Sequence, residues 1–222
     1  IGKRLNSNKI VKVLHQTRPR SCLYYLMEYV EGISLDDWMG NNQLPSPKVA
    51  INIVKQIAEG LTHFHEKETI HQDLKPGNIL INDKLDIKIV DFGSTFVAGT
   101  AELFNPIEHE GALGTATYSD PQYLLGKNTG IQGDLYALAT ITYEIFTGKL
   151  PYGDEVEECR NAFDYDKLRY VSASYHNPVI PIWFDRAIEK GVQINPEKRY
   201  LTLDAFLTDL TQPNPSFLLD VP

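Results

Sequence analysis

Two polar constellations bracket a strand, a turn and a second strand, and this arrangement constrains the fold more than any other feature of the chain. The first is His71-Gln72-Asp73-Leu74-Lys75-Pro76-Gly77-Asn78-Ile79-Leu80, and the second is Asp91-Phe92-Gly93. Between them, the apolar runs 79 to 81 and 86 to 90 flank the turn Asn82-Asp83-Lys84 and read as two short strands. A lone Asp or Asn in a loop is ordinarily a turn or cap residue. Here residue order, flanking strands and residue types agree, which points to an assembled site.

The rest of the chain supplies a helical frame. Residues 10 to 15 and 22 to 30 are rich in β-branched and aromatic residues, and the polar turn at Arg18-Pro19-Arg20 makes them a predicted β-hairpin. A short helix is expected after Ser34. Ser46 and Pro47 supply an N-cap and a first helical residue ahead of Ala50, Val54, Ile57, Leu61 and Phe64, which form one apolar stripe. Residues 134 to 147 are apolar on nearly every face and stop at Gly148, with Pro151 beyond, so a buried central helix is expected. Further helices are expected over 183 to 190 and 203 to 210, and residues 94 to 113 read as a long irregular loop of the kind that is functional or mobile.

A chain of 222 residues with 42% apolar and 23% charged content is read as one soluble globular domain. The net charge of −8, without a basic run, argues against nucleic-acid binding. Cys22 and Cys159 are lone thiols, which suits a reducing compartment. No apolar run reaches the length of a membrane span, and Ile1-Gly2-Lys3-Arg4 has no secretory pattern, so a cytoplasmic location is expected. The chain has no initiator methionine, so it is read as cut from a longer parent that could be membrane-anchored.

The first constellation resembles the catalytic loop of eukaryotic-type serine/threonine protein kinases, H-R-D-L-K-P-x-N, and the second resembles their D-F-G triplet. Lys75 sets it apart from tyrosine kinases, which generally carry alanine and arginine in this stretch. The resemblance implies that Asp73 accepts or orients the substrate hydroxyl proton and that Lys75 contacts the transferred phosphate. It implies that Asn78 and Asp91 hold Mg2+, a hard cation suited to oxygen ligands. Met27-Glu28-Tyr29-Val30-Glu31-Gly32 resembles the hinge that receives the adenine of ATP, with Met27 as gatekeeper, Glu28 and Val30 beside the purine edge and Leu80 in the floor beneath it. The run 114 to 122 resembles the end of an activation segment, G-T-x-x-Y-x-A-P-E, in which Thr115 would bridge Asp73 and Lys75. Asp134-Leu135-Tyr136-Ala137-Leu138 resembles the family's buried helix start, whose aspartate anchors the catalytic-loop backbone, and 195 to 199 its terminal arginine motif. His63, His65 and His71 suggest a metal site in isolation. Their placement instead resembles a common kinase helix ending, with His71 a packed core histidine.

Three departures from the pattern stand out. Gln72 replaces the arginine that helps pair an activation-loop phosphate, so no phosphate is expected to be required at Ser94, Thr95 or Thr100. Gln122 replaces the glutamate that normally pairs with the buried arginine, here Arg199. Asp120 is a candidate substitute, and its competing and favoured role is an N-cap before Pro121. Finally, no G-x-G-x-x-G precedes a strand, and neither the V-A-I-K lysine nor its helix glutamate is present.

The expected fold is therefore α+β, mainly α. Residues 1–30 are read as a two-strand remnant of the amino-terminal lobe with the hinge, 31–211 as the carboxy-terminal lobe, and 212–222 as an irregular tail. The remaining amino-terminal-lobe residues are expected to be missing, leaving a truncated domain with no activity of its own and a hairpin that is disordered, folds onto the carboxy-terminal lobe or self-associates through its free edge. The parent is read as a protein kinase acting on serine or threonine, with short loops resembling bacterial members. The alternative is a pseudokinase-like scaffold, against which Asp73, Lys75, Asn78 and Asp91 argue.

Overall fold

The structure, a computed structural model, describes residues 5, 7–16, 25–91, 96–97 and 117–218. Strands β1 (Val13–Gln16) and β2 (Tyr25–Met27) pair antiparallel, with Val13 opposite Met27. After β3 (Ile33–Ser34) come helices α1 (Leu35–Asn41) and α2 (Pro47–Glu66), then β4 (Thr69–Ile70), β5 (Ile79–Ile81), β6 (Ile87–Ile89) and β7 (Phe96–Val97). β5 lies between β3 and β6 in an antiparallel sheet, and β4 pairs with β7.

The two amino-terminal sheets are joined. Ile10 bridges Ile89 in parallel, the Val11 N–H donates to the Ile89 carbonyl at 2.9 Å, and the Ile89 N–H donates to the Lys9 carbonyl at 2.8 Å. The expectation of a remnant hairpin, with the rest of the amino-terminal lobe missing from a truncated domain, is corrected by this arrangement. Among the described residues, β1, β2, β3, β5 and β6 form a five-strand β-region. Sequence pattern underestimated it because β3 has two residues, too few for periodicity, and the bridge joins residues far apart in the chain. The same bonds fasten the chain just ahead of β1 to β6, so the hairpin is not a lone two-stranded unit.

The helical part continues with α3 (Pro121–Leu124), α4 (Ile131–Thr147), α5 (Ala162–Lys167), α6 (Ala173–His176), α7 (Ile182–Gly191) and α8 (Leu203–Thr211). α4 is the buried axis, packed on α2 and α7. Its buried Thr140, Thr142 and Thr147 hydroxyls donate to the carbonyls of Tyr136, Leu138 and Tyr143 one turn earlier, so no hydroxyl among them is left unsatisfied. Gly148 ends the helix in the left-handed region at φ 65°, where a glycine carries no Cβ penalty. On α2, Gly60 permits a close approach. A Cβ there would lie 2.7 Å from Ile89 Cδ1, so the bare backbone lets β6 press against the helix.

Ser34 caps α1 as expected, accepting the Asp37 N–H at 3.0 Å. Ser46 occupies the N-cap position of α2, but its hydroxyl makes no capping bond. No helix among the described residues is long and apolar enough to cross a membrane.

Candidate active site

The catalytic-loop candidate is hung from α4. Asp134, 1% exposed, accepts the His71 N–H on Oδ2 and the Gln72 N–H on Oδ1, each at 2.9 Å. His65 Nε2 lies 2.9 Å from Asp134 Oδ2. Gln72 has φ +66°, a left-handed conformation that costs a non-glycine residue roughly 1–2 kcal/mol. Two main-chain bonds to a buried carboxylate hold it there. His71 is packed edge-on against Phe64, with ring centroids 5.4 Å apart. Burial pushes its pKa down, partly offset by the carboxylates of Asp134, Asp73 and Asp91, so the ring is held neutral.

The turn that follows folds three predicted residues onto one another. Lys75 Nζ lies 3.1 Å from Asp73 Oδ2, and Asn78 Nδ2 donates to the Asp73 carbonyl at 2.9 Å and to Asp73 Oδ2 at 3.1 Å. The 3-10 turn Pro76–Asn78 makes this possible by returning the Asn78 N–H to the Lys75 carbonyl at 2.9 Å. Val90 then donates its N–H to the Asn78 carbonyl at 2.8 Å, which brings Asp91 to the same end of the β5–β6 hairpin. Asp91 is itself left-handed, at φ +67°. Because the Asn78 amide nitrogen is turned to Asp73, its side-chain oxygen is turned away. That oxygen and the exposed Asp91 carboxylate are hard donors of the kind magnesium takes, so the residues present fit the ion. Thr115 lies outside the described residues, as do Phe92, Gly93, Ser94, Thr95 and Thr100.

At the other end of the site, Met27 closes β2 with 38% of its surface exposed, while Val30 and Leu80 are half-buried. Glu28 is tied down on both sides. Its N–H donates to the Lys12 carbonyl at 2.9 Å, and its Oε1 accepts the Lys12 N–H at 2.9 Å and also the Lys88 ammonium. The Lys88 contact holds the Glu28 carboxyl below its usual pKa. Neither Lys12 nor Lys88 was singled out by the sequence, since no local pattern marks partners this far apart.

One turn thus clusters an Asp, a Lys and an Asn, and one main-chain bond joins it to the segment that bears Asp91. The protein kinase domain family matches residues 1–210. The chain belongs to the protein kinase family. This kinase chain is 31% identical over 207 residues to the serine/threonine-protein kinase PrkC of Bacillus subtilis, covering 93% of the chain and 31% of that protein. It is 31% identical over 188 residues to the serine/threonine-protein kinase PknB of Mycobacterium leprae, covering 84% and 30%. The probable serine/threonine-protein kinase CPE1738 of Clostridium perfringens is 29% identical over 206 residues. The chain spans about a third of the length of these curated relatives.

The kinase chain also answers the question raised by Gln122. Asp120 accepts the Gln122 N–H at 2.9 Å as the N-cap of α3 and simultaneously receives Arg199. The Gln122 amide donates to the Ile194 carbonyl at 3.2 Å. The two roles weighed against each other for Asp120 are both filled, because a carboxylate has two oxygens with several lone pairs.

Proposed function

We propose that the chain carries the phosphoryl-transfer centre of a serine/threonine protein kinase, using ATP and Mg2+ to phosphorylate serine or threonine hydroxyls of proteins. The observation that carries this reading is the Asp73–Lys75–Asn78 cluster, bonded to the segment bearing Asp91 through Val90 and Asn78. Asp73 accepts the proton of the attacking hydroxyl. Lys75, within reach of that carboxylate, offsets charge on the transferred group. Asn78 and Asp91 would hold Mg2+, which would supply neutralisation of phosphate charge. Main-chain groups of Glu28 and Val30 meet the adenine edge, with Met27 and Leu80 packed beside it.

We further infer that the chain by itself transfers phosphate slowly, because it carries neither a G-x-G-x-x-G nor a V-A-I-K lysine to position the nucleotide. The test compares labelled phosphate transfer from ATP by the chain with that by a chimera. The chimera carries a glycine loop and strand lysine grafted ahead of residue 1. A low rate for the chain, a much higher rate for the chimera and loss of the latter in Asp73→Asn are expected. Transfer by the chimera that survives Asp73→Asn would exclude the proposed role of Asp73, and equal rates would exclude the need for the upstream motifs.

A further inference from the structure

We propose that the Glu28–Lys88 ion pair is a positioning device: it fixes the hinge against the strand that delivers Asp91 and so sets how tightly adenine and metal-bound phosphates are held together. The inference rests on the functional reading above. Glu28 follows Met27 at the end of β2, in the segment assigned to adenine. Lys88 stands directly opposite Leu80 in the β5–β6 ladder, three positions before Asp91. Residues directly opposed in an antiparallel pair share a face of the sheet, so Lys88 lies on the same face as the proposed adenine floor. One side-chain contact therefore links the adenine end of the site to its metal end.

Glu28 is suited to transmit position because it has little freedom of its own. Its main chain and its carboxylate both engage Lys12, so moving Lys88 relative to Glu28 strains β1 as well as β2. The pair also spans the two sheets of the β-region, alongside the main-chain bridge between Ile10 and Ile89. Its side chains are 31% and 28% exposed, so water screens the attraction and its contribution to global stability is small. A small stability term placed across a two-ended site still has leverage on ligand affinity, because ATP with Mg2+ must satisfy both ends at once.

The test uses the whole chain and three variants: Glu28→Gln, Lys88→Met, and the charge swap Glu28→Lys with Lys88→Glu. Calorimetry measures the binding of ATP with Mg2+ and of adenosine alone, and amide exchange is followed over residues 25–30 and 87–91 without nucleotide. Each single variant is expected to bind ATP with Mg2+ about fivefold more weakly, with a smaller loss for adenosine alone, which meets only the hinge end, and a thermal midpoint nearly unchanged. Exchange should quicken in both segments whichever partner is changed. The swap should recover most of the loss, though not the Lys12 contact. Faster exchange confined to the altered segment, or a swap no better than the singles, overturns the proposal. A wild-type chain that binds neither ligand overturns the nucleotide reading instead, and the exchange measurement still decides whether hinge and strand are coupled.

Discussion

Asp120 grips Arg199 with both carboxylate oxygens, at 2.6 Å from Oδ2 to Nη1 and 2.7 Å from Oδ1 to Nη2, and neither side chain is exposed. Arg199 also donates to the carbonyls of Gln193, Gln132 and Ile194 and lies over the Tyr136 ring. Every face of the guanidinium is thus occupied, which is what a buried charge requires. Asp120→Asn should cost about 3–5 kcal/mol, measured by denaturant unfolding, because it strands that charge. Adding Arg199→Met to Asp120→Asn should destabilise by less than the sum of the two single changes.

Asp134 should prove to be the main support of the catalytic loop. Asp134→Asn removes the charge and one acceptor from two main-chain N–H bonds, with an expected loss of about 2 kcal/mol. Amide exchange at residues 71 and 72 should quicken more than elsewhere in the chain. Unchanged protection there would mean the left-handed Gln72 is held by other contacts.

His71 makes stability depend on pH. Its folded pKa lies below the ordinary 6.5, so below about 6.5 the unfolded chain takes up a proton that the folded chain refuses. Stability should therefore fall as pH drops, by up to about 1.4 kcal/mol per unit, and level off once the folded pKa is passed. His71→Phe, which keeps an aromatic ring against Phe64, should flatten that slope.

Gly60→Ala should destabilise by about 1–3 kcal/mol, since the new methyl would stand 2.7 Å from Ile89 Cδ1 in a packed core. Ile89→Val shortens the offending side chain. The double variant should regain part of the loss in thermal unfolding.

Asp73→Asn in the chimera described above should lower phosphate transfer by about 10²–10⁴-fold, the usual worth of a positioned general base. ATP affinity should change little, because the residue acts on the attacking hydroxyl. A large loss of affinity with transfer per bound ATP intact would assign Asp73 to binding instead.

Strongly patterned elements were legible from the sequence. The stripe from Ala50 to Phe64 became α2, and the apolar run ending at Gly148 became α4, although that helix begins three residues earlier than expected, at Ile131. Short elements were not. α5 and α6 have six and four residues, less than two turns, and their caps at Asn161 and Ser172 resemble ordinary turn residues. Pairing over distance was equally hidden: β4 meets β7 through Ile70 and Phe96, and neither run is long enough to show a period. For the site, the motifs identified Asp73, Lys75 and Asn78 as a group, and the structure brings them within bonding distance. Asp120 shows the limit of reading residue types alone. Cap and ion pair look like alternatives in one dimension, while in space one carboxylate serves both.

The Val90–Asn78 hydrogen bond has a consequence for the order in which the chain assembles. It closes a hairpin of about a dozen residues, whereas Asp134 must find His71 and Gln72 across more than sixty positions. Short loops lose less entropy on closing and close sooner. The candidate magnesium ligands can therefore be drawn together early, by local chain geometry. The catalytic-loop backbone must wait for α4 before it is locked, so the hairpin that carries the candidate metal ligands can close without the support that makes Asp73 precise.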